Sequence, residues 1–152
     1  MGDQLVNDVG DQGLFFSIFL VSQRVSQLLS IALAESGLSA TEYAVYSALA
    51  VTEEPVTPTE LADRLSIRPS TLTGYLTAMS KRGHLSRLAN PADQRSFLVQ
   101  LSRTGREACA RGSRAVTAVH QQLRSHLGTA HGQVVEALAR LDEALRVALQ
   151  EQ

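Results

Sequence analysis

Thr57–Gly83 reads TPTELADRLSIRPSTLTGYLTAMSKRG, and its punctuation decides the fold. Thr57-Pro-Thr-Glu60 is a capping box, in which the threonine hydroxyl and the glutamate carboxylate satisfy each other's backbone N–H groups. Pro58 stands at the first helical position, where a missing N–H costs nothing. A short helix over 58–65 follows, with Leu61, Ala62 and Leu65 as its inner face. Ser66-Ile-Arg68 makes a tight turn. Pro69 then opens a second helix over 69–82, which Gly83 ends. Leu72, Tyr75, Leu76 and Met79 fall on its buried face. Ser70, Thr71, Thr73, Gly74, Thr77 and Lys81 fall on the other.

Downstream, Leu85-Ser-Arg-Leu88 and Ser96–Leu101 carry strand-forming residues, and Asn90-Pro-Ala-Asp93 between them is turn chemistry. The three pieces predict a β-hairpin. Upstream, Ser39-Ala-Thr-Glu42 is another capping box, opening a helix over 40–51. Long helices flank this unit. Leu14, Ile18, Val21, Val25, Leu28 and Ala32 recur at alternating spacings of four and three, and Gly37 closes that helix. Ser102 can cap a helix over 103–127. A last helix over 131–150 carries Val134, Leu138, Leu141, Leu145 and Ala148 at the same spacing. Residues 1–12 are polar and aperiodic, and are expected to fray or act as an arm.

The expected fold is therefore mainly α with a small β-hairpin wing. A winged helix-turn-helix over 39–101 stands between long helices over 13–36 and 103–150. Two long apolar stripes are more than one small winged domain can cover, so both end segments are expected to pair with a second copy, the alternative being that each packs within its own chain.

Net charge is −1, which by itself argues against a nucleic-acid partner. Its distribution reverses that. Residues 64–114 hold ten basic and two acidic residues, or +8, leaving −9 for the rest of the chain. A phosphate surface needs a local positive field, not a positive protein. No acid occurs from Arg64 to Asn90. An ordinary solvated helix face would carry glutamate and lysine; here it carries hydroxyls, which bond phosphates or base edges in a major groove. Gly74 permits close approach to a duplex. At the hairpin tip, Asp93 can hold the Arg95 guanidinium for entry into a narrow minor groove. The candidate DNA contacts are Arg68, Ser70, Thr71, Thr73, Gly74, Thr77, Lys81, Arg82, Arg87, Asp93 and Arg95.

Leu61–Thr73, the run Lys81-Arg-Gly-His-Leu-Ser-Arg87, and Asn90-Pro-Ala-Asp-Gln-Arg95 leading to Thr104-Gly-Arg106 resemble the MarR family of bacterial transcriptional regulators. The resemblance implies the Asp93-x-Arg95 wing and the Leu101, Gly105, Arg106 closing pattern. It also implies an obligate homodimer on a pseudo-palindromic operator in double-stranded DNA. One departure is Arg68 at the start of the second helix, where relatives carry serine or aspartate. It forgoes a cap worth ~1 kcal/mol and puts a cation at the positive end of a helix dipole. Such a costly residue is expected to touch a phosphate or base.

The resemblance further implies a repressor released by a small aromatic or phenolic ligand held between the end helices and the winged domain. Phe15, Phe16, Phe19, Arg24, Tyr43, Tyr46 and His120 are the candidate lining. The alternatives are an activator, or a redox-responsive regulator without small-ligand control. Cys109, the single cysteine, excludes an internal disulfide and lies near Arg106 and Arg111. His84, His120, His126 and His131 include no pair spaced i, i+4, so no metal site and no cofactor is expected. No catalytic set is recognisable, and the chain is expected not to be an enzyme. Asp3, Asp8 and Asp11 stand where a signal peptide would be basic, and the apolar run Leu14–Leu20 is short of the ~20 residues a bilayer requires. A cytoplasmic protein without a membrane partner is expected.

Overall fold

The computed structural model describes residues 11–52 and 54–151. Most of the expected N-terminal arm, residues 1–10, lies outside these. Two compact units divide at Val116 and Thr117. The division falls inside a helix.

In the first unit, α1 (Asp11–Leu33) runs into a 3-10 turn over Ala34–Ser36, then α2 (Ala40–Ala50), α3 (Pro58–Leu65) and α4 (Pro69–Lys81). Strands β1 (Leu85–Ala89) and β2 (Phe97–Leu101) follow, then α5 (Arg103–Leu127), whose residues to Val116 belong here. Both capping boxes form. The Ser39 N–H donates to Glu42 Oε2 at 3.0 Å and the Thr57 N–H to Glu60 Oε2 at 2.8 Å, each with the reciprocal backbone bond at 3.2 Å. Ser66 makes the turn between α3 and α4 by adopting a left-handed backbone, φ 51°.

The hairpin is antiparallel, in register from Leu85 opposite Leu101 to Ala89 opposite Phe97. Val56 adds a further rung, exchanging backbone bonds with Val99 at 3.1 and 2.8 Å. This ties the wing to the segment leading into α3. Beneath it lies one apolar core: Val45, Tyr46 and Leu49 of α2, Leu61 of α3, Leu72, Leu76 and Met79 of α4, Val99 and Leu101 of β2, and Ala108 and Cys109 of α5. No charged or polar side chain is buried among the described residues. At ~1.5–3 kcal/mol for each large apolar side chain buried, this core fixes α4 in place. Gly105 sets how close α5 can come, since a Cβ there would lie 2.1 Å from the His84 carbonyl oxygen.

In the second unit, α5 from Thr117 onward and α6 (His131–Gln150) are joined by a 3-10 turn over Gly128–Ala130. None of the described residues of α6 is buried, and Val135, Leu138 and Leu149 are among its exposed apolar side chains.

The α1 reading is corrected in one respect. The apolar segment does not stop at Leu20: Gly13–Ser36 forms one helical stretch, long and apolar enough by composition to cross a membrane. Its apolar residues form more than one stripe, since Phe15, Phe16, Phe19 and Ile31 are exposed alongside Leu14, Val21, Val25 and Leu28. Arg24, Gln23, Gln27 and five serines interrupt it. These features describe a helix that needs covering on several sides.

Candidate nucleic-acid interface

The outer face of α4 is built by subtraction. Leu72, Leu76 and Met79 are drawn into the core, and the 3.6-residue period turns Ser70, Thr71, Thr73, Gly74, Thr77 and Lys81 outward, all exposed. Thr73 donates its hydroxyl to the Pro69 carbonyl at 2.9 Å, which leaves its oxygen lone pairs outward as acceptors. Nothing lies within 4 Å of a Cβ built at Gly74, so this position is open space. Arg68 stands at the N-cap with no side-chain cap bond, exposed.

The wing tip is held by short-range hydrogen bonds. Asn90 Oδ1 accepts from the Ala92 N–H at 3.0 Å, and Asn90 Nδ2 donates to Ser96 Oγ at 2.7 Å. Asp93 Oδ1 accepts from the Arg95 backbone N–H at 2.9 Å. That corrects the expected role of the aspartate. The carboxylate bonds the arginine's backbone rather than its guanidinium, because the turn brings the N–H of the second following residue onto it. Asp93 thus shapes the turn, and the exposed Arg95 side chain leaves from it without an ion-pair partner among the described residues.

Arg87 of β1 lies over the Phe97 ring, its guanidinium carbon 4.7 Å from the ring centroid. An aromatic face steadies a cation while leaving its N–H donors exposed. Arg87, Arg95, Ser96 and Phe97 then form one wall of a groove of about 440 Å³, opposite Thr57, Pro58 and Thr59 of the α3 N-terminus and Thr73 of α4. Two guanidinium groups with no ion-pair partner among the described residues share one concavity and suit a phosphate backbone, while Thr57 and Thr73 give their hydroxyl protons to Glu60 and the Pro69 carbonyl.

Arg82, expected among the DNA contacts, has a partner within the chain. It follows α4 as its C-cap and donates from Nη1 to Glu42 Oε1 of α2 at 2.9 Å. Burial pushes the Glu42 carboxyl up, but the Ser39 N–H, the Arg82 guanidinium and the Ser39 hydroxyl outweigh it and hold it below its ordinary value. Arg82 therefore braces the far end of α4 against α2. Next to it, the Tyr46 hydroxyl meets His84 Nδ1 at 2.8 Å. Neither partnership was legible in the sequence, since the pairs are 40 and 38 residues apart.

The expected ligand-lining residues are placed as follows. Tyr46 is fully buried in the core. Tyr43 packs on Gly112 and bonds Ser113 Oγ at 3.1 Å. Phe15, Phe16 and Phe19 are exposed along α1 and line none of the main cavities. His120 belongs to the second unit, beside His131. Two other cavities do open against α5. One of about 250 Å³ is lined by Ala32, Glu35, Ser36, Arg111, Arg114 and Ala115. Another of about 440 Å³ has Arg106, Arg114 and Cys109 in its wall.

Comparison with known proteins places this architecture. Residues 38–97 match the model of the MarR family. The chain is 32% identical to the multiple antibiotic resistance protein MarR of Salmonella typhimurium over 111 residues, 72% of this chain and 76% of that protein. It is 29% identical over 100 residues to the HTH-type transcriptional repressor YetL of Bacillus subtilis, a match spanning 65% of this chain and 60% of YetL. Among solved structures, a MarR variant from E. coli complexed with operator DNA superposes with a TM-score of 0.74 at 29% identity, covering 84% of this chain and 91% of that one.

Proposed function

Because the chain belongs to the MarR family, we propose that it is a DNA-binding transcriptional regulator that acts as a homodimer, represses, and is released by a small effector. The observation that carries DNA binding is the shared groove: Thr73 of the exposed, acid-free α4 face and Arg87 and Arg95 of the wing line one concavity. The relative solved with operator DNA has the same fold, which supports the same use of α4 and the wing. In this reading α4 enters a major groove, Arg95 reaches the adjoining minor groove, and Arg68 and Lys81 flank the backbone. The local +8 adds a steep salt dependence.

Homodimerisation is supported by the exposed apolar side chains of α1 and, separately, of α6. Repression is supported by the YetL likeness. For the effector, the cavity lined by Arg106 and Arg114 favours an acid over a neutral phenol, while the other sets Glu35 against Arg111 and Arg114. Nothing in the site calls for catalysis, and the reading is of a binding protein.

The test is a mobility shift on DNA from upstream of the protein's own gene, at low and physiological salt. Binding that weakens steeply with salt and is lost in Arg95→Ala supports the proposal. A flat salt response, or Arg95→Ala binding as well as the parent, overturns it. Aromatic acids should then release the complex.

A further inference from the structure

Four histidines with no i, i+4 pair give no metal signal along the chain, but the α5–α6 turn brings two of them together. His120 of α5 and His131 at the start of α6 have ring centroids 5.7 Å apart, with ring planes at 57°. Both lie in the unit beginning at Thr117, on the two helices joined by the Gly128–Ala130 turn. His120 is exposed and His131 half-buried, so the pair is open to solvent.

The rings are close enough for one nitrogen of each to reach a shared ion. With a metal–nitrogen bond of about 2.0–2.1 Å, each ring centroid lies about 3.2 Å from the metal. With one nitrogen of each ring turned toward a common ion, rings 5.7 Å apart would subtend about 125° there, near the ~109° of tetrahedral zinc. Imidazole suits borderline cations such as Zn²⁺, Ni²⁺ and Cu²⁺. No group of three or more His, Cys, Asp or Glu side chains converges among the described residues, so water would complete the coordination shell.

We propose that His120 and His131 form a two-imidazole site for a divalent transition-metal ion, clamping the turn between α5 and α6. The proposal is independent of DNA binding and concerns this turn alone. His126 provides an internal control: it lies on the same helix, with Nδ1 already 2.7 Å from the Gln122 carbonyl oxygen.

Zinc chloride is titrated into the full chain while the ring-nitrogen NMR shifts of all four histidines are followed. One ion per chain should bind saturably at micromolar zinc, moving His120 and His131 together while His84 and His126 stay. His120→Gln and His131→Gln should each abolish the response, His126→Gln should keep it, and unchanged circular dichroism shows that the variants fold. Response at His84 or His126 instead, binding only at millimolar zinc, or retained binding in a folded His120→Gln overturns the proposal.

Discussion

The Tyr46 hydroxyl lies 2.8 Å from Nδ1 of His84, and the two rings meet edge to face with centroids 5.8 Å apart. Tyr46 belongs to α2 and His84 to the link between α4 and β1, so the contact joins the core to the point where the wing begins. Removing the hydroxyl in Tyr46→Phe keeps the ring packing and deletes only the hydrogen bond. A loss of about 1 kcal/mol in a urea melt is expected, with the denaturant slope unchanged. A stability equal to the parent's would show that the bond contributes nothing.

The same contact makes stability depend on pH. A neutral imidazole can accept the tyrosine proton at Nδ1; an imidazolium cannot. Burial first, then the charges of Arg82 and Arg111, hold the His84 imidazole below its ordinary value. The unfolded chain therefore binds the proton more readily than the folded one, and stability falls as pH drops below the unfolded value of about 6.5. Midpoint temperatures at pH 7.5 and 5.5 should differ in the parent, and by less in His84→Gln. Equal pH responses in the two proteins would remove His84 as the cause.

Two glycines separate fold from function. Gly105→Ala pushes a methyl group into the His84 carbonyl, so α5 and the hairpin must separate. Overpacking of this kind costs about 1–3 kcal/mol, and both stability and DNA binding should fall. Gly74→Ala meets nothing and places a better helix former in α4, a gain of up to ~1 kcal/mol. If α4 approaches DNA closely, thermal stability rises while DNA affinity drops. Higher stability with undiminished affinity would show that Gly74 does not face the duplex.

Arg68 can be argued in the same way. Arg68→Ser supplies the missing N-cap of α4 and should stabilise by ~1 kcal/mol. If the guanidinium touches a phosphate, the variant binds DNA more weakly at every sequence and its salt slope is shallower by about one. Affinity and salt slope both unchanged would return Arg68 to an ordinary surface residue.

What the sequence makes legible here is local. Thr57 with Glu60 and Ser39 with Glu42 act over three residues, and both boxes form. The 3.6 period of Leu72, Leu76 and Met79 likewise dictates which side of α4 is left outside. Illegible features need the tertiary fold. Whether Arg82 meets DNA or Glu42 depends on how α2 packs beside α4. Asp93 was readable as a turn residue, but not which Arg95 group it would bond. Tyr46 has the composition of a ligand-pocket residue, and only packing shows it to be core. His120 and His131 are eleven positions apart, a spacing with no meaning until the turn at Gly128–Ala130 brings the two rings together.

The exposed apolar surface of α1 demands a cover, and a second copy and a bilayer make opposite predictions. Gly13–Ser36 has the length for a membrane, but Arg24 sits near its middle, where a charge costs about 2.5–3.5 kcal/mol even by the mildest scale. Seven further Ser and Gln residues at 17, 22, 23, 26, 27, 30 and 36 weaken the case for lipid again. A protein surface can satisfy such groups where lipid cannot. The chain should therefore sediment as a dimer in detergent-free buffer and fail to float with lipid vesicles. Phe19→Glu, which puts a charge on a side chain 55% exposed in the single chain, should shift the sedimentation toward monomer. The winged domain's core does not include Phe19, so its melting signature should survive once the dilution dependence of dimer stability is allowed for. Flotation of the parent with vesicles, or an unchanged dimer in Phe19→Glu, would take α1 out of the dimer interface.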